Sequence, residues 1–166
     1  KDAVYCNERA TANGYIYHLN YNIFFYSYEK LVSNKNPSYD CKNTSDKFSV
    51  NNTSAKLDNP IGLITADEIV FAGGKNSESS EAWYYYNSAK GSSVGYGGWW
   101  TMTPWSWYTV KTVQIFEVVG SSAPGCLSFN SANSSKYIRP VISIKGDNEW
   151  KSGDGSASNP YEIVTE

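Results

Sequence analysis

The sequence predicts an α+β fold in which small antiparallel sheets and one or two short helices support long ordered loops. One segment carries a full set of helix-start signals, and several short stretches alternate apolar and polar residues as strands do. Ser (23), Asn (16), Tyr (14) and Gly (13) make up about two fifths of the 166 residues, which favours a loop-rich chain. This length predicts a single domain over residues 1–166.

Charge and residue usage exclude several classes of function. Lys and Arg total 14 against 16 Asp and Glu, and the resulting net charge of −2 argues against a nucleic-acid partner. A single His argues against a His-based metal site or catalytic centre. No apolar run reaches the ~20 residues of a membrane span. Neither a signal peptide nor an initiator Met precedes Lys1, which predicts a processed or excised part of a longer protein.

The N-terminal third contains two of the three cysteines. Cys6 and Cys41 lie in polar, Asn-rich stretches without C-x-x-C spacing, which favours a disulfide in an exported protein over two unpaired thiols. Cys126 lies in an alternating stretch and is expected to be a buried free thiol. Between the first two cysteines, the aromatic residues of 15–34 fit either a short helix or two strands. Residues 33–59 are predicted to form a long ordered loop that the disulfide would pin.

The clearest local signal is PIGLITADEIVFAGG, residues 60–74. Thr65 and Glu68 have the spacing of a capping box, flanked by a hydrophobic staple and a C-terminal glycine pair. These signals predict a strand or extended segment over 61–64 and a short helix over about 66–72.

Within that helix, the apolar side chains Ile69, Val70 and Phe71 are expected to pack inward. Asp67 and Glu68 are expected to satisfy the helix N-terminus and to have no catalytic role.

Four later stretches are predicted to be strands, and a glycine turn near the C-terminus leads to a last short strand. They lie at 97–104, 113–119, 126–129 and 137–144, and Pro140 indicates an edge or a bulge in the fourth.

In the second of these stretches, VQIFEVV, Val113 and Ile115 are expected to face the core. Gln114, Phe116 and Val118 then share the opposite face. Phe116 is therefore either an exposed anchor or a sign that the strand is buried on both faces.

Six blocks in a specific order carry a resemblance that spans nearly the whole chain. They are VYCNERA, YDCKNTSDKFSV, NPIGLITADEIVFAGG, WWTMTP, YIRPVISI and GDGSASNPYEIV. The chain resembles a family of bacterial surface domains that are common at the C-terminus of pilin-like proteins. That family is similar to the C-type-lectin-like fold, in the branch shared with formylglycine-generating enzymes and with variable proteins diversified by retroelements. The resemblance implies an extracellular domain on a bacterial cell surface.

The function that this resemblance implies is an adhesin-like display domain that binds a protein or a glycan on a cell surface. The alternatives are a structural pilus or surface subunit that packs against assembly neighbours, and a degenerate enzyme. Formylglycine-generating relatives use a late pair of cysteines, and only Cys126 lies in the second half here, so no enzyme activity is expected. The tripeptides of calcium-binding lectins are absent, so neither a metal nor another cofactor is expected.

The predicted binding face lies between the WWTMTP and YIRPVISI blocks. Residues 105–108 follow Pro104 in an expected loop, and their three large aromatic side chains cannot all enter one core. They form either an exposed binding surface or a lid over the sheet. The mixture of Tyr, Ser, Asn, Gly and Trp resembles that of antibody paratopes. The candidate binding residues are Trp105, Ser106, Trp107, Tyr108, Lys111, Gln114, Phe116, Ser128, Asn130 and Asn133.

Overall fold

A computed structural model describes residues 3–17, 22–78, 98–108, 112–120, 123, 125–144, 150–154 and 158–164. Within these residues the fold is α+β, as the sequence predicts, with short strands in four antiparallel sheets. The strands are β1 Tyr5–Cys6, β2 Asn22–Phe24, β3 Lys47–Phe48, β4 Ile61–Leu63, β5 Trp99–Tyr108, β6 Thr112–Val118, β7 Leu127–Ser131, β8 Pro140–Ile142, β9 Trp150–Ser152 and β10 Glu162–Ile163. The helical segments are α1 Tyr26–Tyr28, a π-helix Glu29–Ser33, a 3-10 helix Thr44–Asp46 and α2 Ala66–Phe71.

The central sheet has the strand order β2-β5-β6-β7. Its longest pairing, between β5 and β6, shifts register on both sides of Pro104. These irregularities accommodate a residue that has no N–H to donate to a ladder. The expectation of a loop over 105–108 is wrong, because β5 continues through Pro104 and pairs with both β2 and β6 as far as Tyr108.

The core lies on one face of the central sheet, where the π-helix and α2 pack against it. Apolar side chains from these helices meet those of the three longest strands, and their burial supplies the main stabilisation of the fold. The buried cluster consists of Leu31, Ala66, Ile69, Trp99, Trp105, Phe116, Val118 and Leu127.

Strand β6 presents to this core the face opposite to the predicted one. Phe116 and Val118 are fully buried, whereas Val113 and Ile115 are half-buried on the other face. VQIFEVV has apolar residues in both phases of the alternation, so the pattern alone does not select a face. The phase that contains the large Phe116 ring enters the core because it buries more apolar area.

Helix α2 begins as the sequence predicts. Thr65 Oγ1 accepts a hydrogen bond from the Glu68 backbone N–H at 3.2 Å, and a Glu68 carboxylate oxygen accepts one from the Thr65 N–H at 2.7 Å. Just after the helix, Gly73 has a φ of 100°, as expected of a left-handed C-cap. The capping box and the terminal glycine are therefore confirmed.

The predicted inward face of α2 is correct only in part. Ile69 is fully buried and Val70 packs against the core, but the Phe71 side chain is 48% exposed. Phe71 lies two positions after Ile69, which places it on the opposite side of the helix. It stacks on the exposed ring of Tyr39, with 4.4 Å between the ring centroids.

The described residues of segment 15–34 contain one strand (β2) followed by helical turns (α1 and the π-helix), so the structure combines parts of the two alternatives. Residues 33–59 are largely irregular, with a 3-10 turn and the short strand β3, which pairs with β1. The predicted disulfide joins Cys6 to Cys41, with 5.8 Å between the two Cα atoms. Cys126 is free and buried, as expected.

Two small ribbons complete the described part of the fold. β4 pairs with β8, whose first residue is Pro140, so the predicted edge position of this proline is confirmed. β9 pairs with the last short strand, β10, after a turn at Gly153 with a φ of 101°. In the described ranges, every helix is too short or too polar to cross a lipid bilayer.

Candidate functional site

Strand pairing assigns the predicted binding residues to two different faces of the central sheet. Directly paired residues share a face and successive residues alternate. The core face carries Trp105, Ser106, Tyr108, Gln114 and Phe116, and the opposite face carries Trp107, Ser128 and Asn130. Asn133 is exposed in the turn after β7, and Lys111 lies outside the described residues.

Trp105, Ser106 and Phe116 are buried, so the alternative of an exposed binding surface does not hold for these three residues. The Trp105 side chain is 6% exposed, packs edge-on against Phe116 at 4.8 Å between centroids, and stacks on Phe129 at 4.2 Å. The register shift after Pro104 lets Trp105 and Ser106 both lie on the core face. Trp105 therefore matches the lid alternative.

The outer end of the core face remains accessible, and we call it the sheet-end surface. Tyr108 is 49% exposed and Phe129 is 40% exposed, while polar side chains lie between these two rings. The buried Ser106 hydroxyl donates a hydrogen bond to Gln114 Oε1 at 2.7 Å, which fixes the orientation of the Gln114 side-chain amide. The sheet-end surface comprises Tyr108, Thr112, Gln114, Phe129 and Ser131.

A continuous row of aromatic rings supports this surface from one side. Phe129 stacks on Trp105, Trp105 meets Tyr28 at 4.9 Å, Tyr28 stacks on Phe24 at 4.1 Å, and Phe24 meets Tyr15 at 5.6 Å. Stacked and edge-to-face contacts of this kind stabilise ring positions beyond their simple area burial. Phe129 is therefore an exposed ring on a rigid base.

Sequence reasoning did not select Phe129, because the alternation along CLSFNS places it on the same face as the buried Leu127. β7 is an edge strand of the central sheet, so the outer part of the ring is left uncovered. Only the pairing of Phe129 with Phe116 at the end of the core reveals this position.

The opposite face of the sheet contains an ion pair between a buried carboxylate and a partly exposed lysine. The Lys136 Nζ lies 2.7 Å from a carboxylate oxygen of buried Glu117. Asn130 donates to the other Glu117 oxygen at 3.4 Å and accepts hydrogen bonds from Ser131 N at 2.9 Å and Ser134 Oγ at 3.0 Å. The Asn130 side chain is therefore engaged in hydrogen bonds within the protein.

A second cluster of chemically active groups was not predicted from the sequence. The Lys30 Nζ lies 2.6 Å from Glu8 Oε2 and 2.9 Å from Asp67 Oδ1, and all three side chains are between 5% and 7% exposed. The Ser38 backbone N–H also donates to Asp67 Oδ1, at 2.8 Å. We call Glu8, Lys30 and Asp67 the buried triad. Asp67 therefore serves this triad, while Glu68 alone completes the capping box.

Burial and pairing act in opposite directions on the charges of the triad. Burial raises the pKa of the Glu8 carboxyl above its usual value, and the adjacent Lys30 only partly offsets this effect. Burial lowers the pKa of Lys30, but its hydrogen bonds to Glu8 and Asp67 outweigh burial and raise the pKa overall. The resting site is an ammonium group held between two acidic side chains.

Two cavities adjoin the triad. A small one of about 50 Å³ is lined by all three triad residues, by Cys6 and by neighbouring side chains. A wider polar one of about 240 Å³ is lined by Tyr26, Lys30, Asn34, Asn36, Ser38, Asp40 and Lys42. Across the described ranges, no group of three or more His, Cys, Asp or Glu side chains is arranged to hold a metal ion.

No protein-family model matches the chain, and neither a curated protein nor a solved structure matches it.

Proposed function

We propose that this chain is an adhesin-like display domain of a bacterial surface or pilin-like protein. It has a C-type-lectin-like fold and binds a protein or glycan ligand through the sheet-end surface. The observation that carries the proposal is the pair of exposed rings, Tyr108 and Phe129, on the rigid end of a four-stranded sheet. The disulfide between Cys6 and Cys41 supports an extracellular location.

The chemistry of the sheet-end surface suits ligand binding. Exposed aromatic side chains bury a large area at a small cost in conformational entropy, and adjacent Gln, Ser and Thr groups form adaptable hydrogen bonds. The same rings stack on the apolar faces of sugars, so a glycan and a protein ligand use the same residues.

The sheet-end surface could also tolerate the sequence changes of a variable protein that is diversified by a retroelement. Tyr108, Thr112, Gln114 and Ser131 are strand residues, so their backbone hydrogen bonds persist when the side chain changes. Sequence variation there leaves the core on the inner part of the sheet intact.

Oxidase chemistry is not part of this proposal. The chain has three cysteines, two of them form the disulfide, and the third is buried. Burial also raises the pKa of the Cys126 thiol, which opposes formation of the reactive thiolate.

The first experiment removes the two exposed rings. The Tyr108→Ala and Phe129→Ala variants and their double variant are tested on a printed glycan array and on fixed epithelial cells. If a ring anchors the ligand, its replacement by Ala should weaken binding by ~2 kcal/mol or more, about thirtyfold in affinity. Tyr137→Ala is the matched control, because Tyr137 is an exposed tyrosine near Trp99, at the other end of β5.

If the double variant binds as strongly as the parent chain, the sheet-end surface is not the binding site. If binding is lost only in Tyr137→Ala, the ligand binds at the other end of the sheet.

One observation favours a second candidate, a structural subunit that packs against assembly neighbours. Ile61 and Ile142 are cross-strand partners on the β4–β8 ribbon, and both are exposed. Burial of such an apolar pair against a neighbour is favourable. Unchanged binding in every ring variant, together with self-association that Ile142→Ser abolishes in sedimentation, would support this candidate over the first.

A further inference from the structure

The buried triad brings a primary amine, a carboxyl group and a second carboxyl group together in the interior. We propose that Lys30 and Asp67 become joined by an intramolecular amide bond, with Glu8 as the group that carries the proton. This covalent modification is independent of the proposed ligand and would cross-link the π-helix to α2.

The geometry supplies the reacting pair. Lys30 Nζ lies 2.9 Å from Asp67 Oδ1 and 2.6 Å from Glu8 Oε2, so the nitrogen is within hydrogen-bonding distance of the carboxyl group that it would attack and of the proton carrier. The three side chains come from different segments, the chain after β1, the π-helix and α2. Packing of these segments holds the groups together, which raises the effective concentration of the amine.

The surroundings favour the tetrahedral intermediate. The Ser38 backbone N–H donates to Asp67 Oδ1 at 2.8 Å, so it can stabilise the negative charge that develops on that oxygen when the amine adds to the carboxyl carbon. Because all three side chains are almost fully buried, this single donor acts with little competition from water.

Glu8 is suited to carry a proton. No donor among the described residues reaches its second oxygen, Glu8 Oε1, although that atom is buried. A carboxylate with an unsatisfied buried oxygen gains from protonation. Consistent with this, burial raises the pKa of the Glu8 carboxyl.

The reaction balances without an oxidant or any co-reactant. The Lys30 ammonium first passes a proton to the Asp67 carboxylate, which leaves a neutral amine beside a neutral acid. This transfer is uphill, because the hydrogen bonds of Lys30 raise its pKa. The nitrogen then attacks Asp67 Cγ while Glu8 Oε2 takes a proton from the nitrogen. Glu8 returns that proton to the departing hydroxyl, the C–O bond breaks and one water leaves. The products are an amide, a water molecule and the Glu8 carboxylate.

The interior has room for the leaving water molecule, and the reaction removes the buried charges of Lys30 and Asp67. The adjoining cavity of about 50 Å³ is large enough for a water molecule. A buried ion pair has a large desolvation penalty, whereas the amide product is neutral and retains an N–H that can donate to Glu8.

The test is the intact mass of the folded, unreduced protein. The expected mass is that of the sequence less the two hydrogens of the disulfide and less one water, about 18 Da. After reduction and tryptic digestion, peptides 10–35 and 57–75 should be found joined, because trypsin does not cleave after an acylated Lys30. A mass without the water loss, or a water loss mapped to any other pair of residues, overturns the proposal.

Two variants assign the roles. Glu8→Gln keeps the amine and the electrophile but removes the proton carrier, so bond formation should slow by about 100-fold or more. Lys30→Arg keeps a cation but removes the nucleophile, so its mass should show no water loss. Bond formation in Glu8→Gln at the wild-type rate would overturn the role of Glu8. The wild-type mass decides the main question even if either variant fails to fold.

Discussion

Trp105 and Tyr108 show how two aromatic residues three positions apart in one strand come to have different roles. Both lie on the core face of the central sheet, because the register shifts after Pro104. Trp105 lies where the sheet is covered and contacts the rings of Tyr28, Phe116 and Phe129. Tyr108 lies at the end of β5, beyond that cover, and half of it is exposed. Position along the sheet therefore separates a core residue from a surface residue.

This difference predicts opposite results for two alanine variants. Trp105→Ala should lower the free energy of unfolding by ~3–5 kcal/mol, because it leaves a cavity among packed rings. Tyr108→Ala should change it by less than about 1 kcal/mol, because half of the residue is already exposed to solvent. Denaturant unfolding of both variants gives the comparison. Equal losses in the two variants would show that the assigned burial of Trp105 is incorrect.

The candidate site was therefore predictable only in part. Composition and position select Tyr108 and Gln114, and both lie on the sheet-end surface. The prediction did not identify Phe129, whose exposure depends on the position of β7 at the edge of the central sheet. It also missed the buried triad, because Glu8, Lys30 and Asp67 come together through packing of distant segments and no local pattern connects them.

At the scale of elements, the parts of the fold that depend on local interactions were predicted best. The start of α2 is determined by groups within four residues, Thr65 to Glu68, and the structure has it where the sequence places it. The end of β5 depends on hydrogen bonds from two other strands, which override the usual effect of a proline. The core-facing side of β6 also depends on tertiary packing, since both of its faces carry apolar residues.

The capping box of α2 offers a local test. Thr65→Ala removes the side chain that accepts from Glu68 N, so the free energy of unfolding should fall by about 1 kcal/mol. Thr65→Ser is the control, since it retains the hydroxyl and should lose much less. Thermal unfolding of the two variants under identical conditions makes the comparison, and a Thr65→Ala variant as stable as Thr65→Ser would contradict the role of the cap.

At the scale of the whole molecule, the N-terminal segment is held to the body of the fold by several different interactions. The disulfide ties Cys6 to the long loop, and the adjacent Glu8 pairs with Lys30 in the interior. Arg9 pairs with Asp46 and so connects the same segment to the 3-10 helix. Residues 5–9 are therefore an integral part of the fold, although their strand, β1, has only two residues.

Removal of the disulfide should destabilise the molecule strongly. The bridge closes a loop with a sequence separation of 35 residues. For a loop of this size, the chain-entropy model gives a loss of roughly 3–4 kcal/mol when Cys6 and Cys41 are both replaced by Ala. Urea unfolding of this double variant is compared with that of Cys126→Ala, which leaves the bridge intact. A loss no larger than that of the control would show that the bridge does not restrict the unfolded chain as expected.

The burial of Cys126 has a consequence for oxidative folding. Three thiols allow three different bridges, and two of these would require Cys126 to leave the interior. The finished core next to Leu127 is compatible only with the bridge between Cys6 and Cys41. A chain in which Cys126 forms a disulfide therefore cannot complete its core packing. Its disulfide stays accessible to thiol exchange until the bridge between Cys6 and Cys41 forms. Packing around the Cys126 sulfur thus favours the correct disulfide between Cys6 and Cys41.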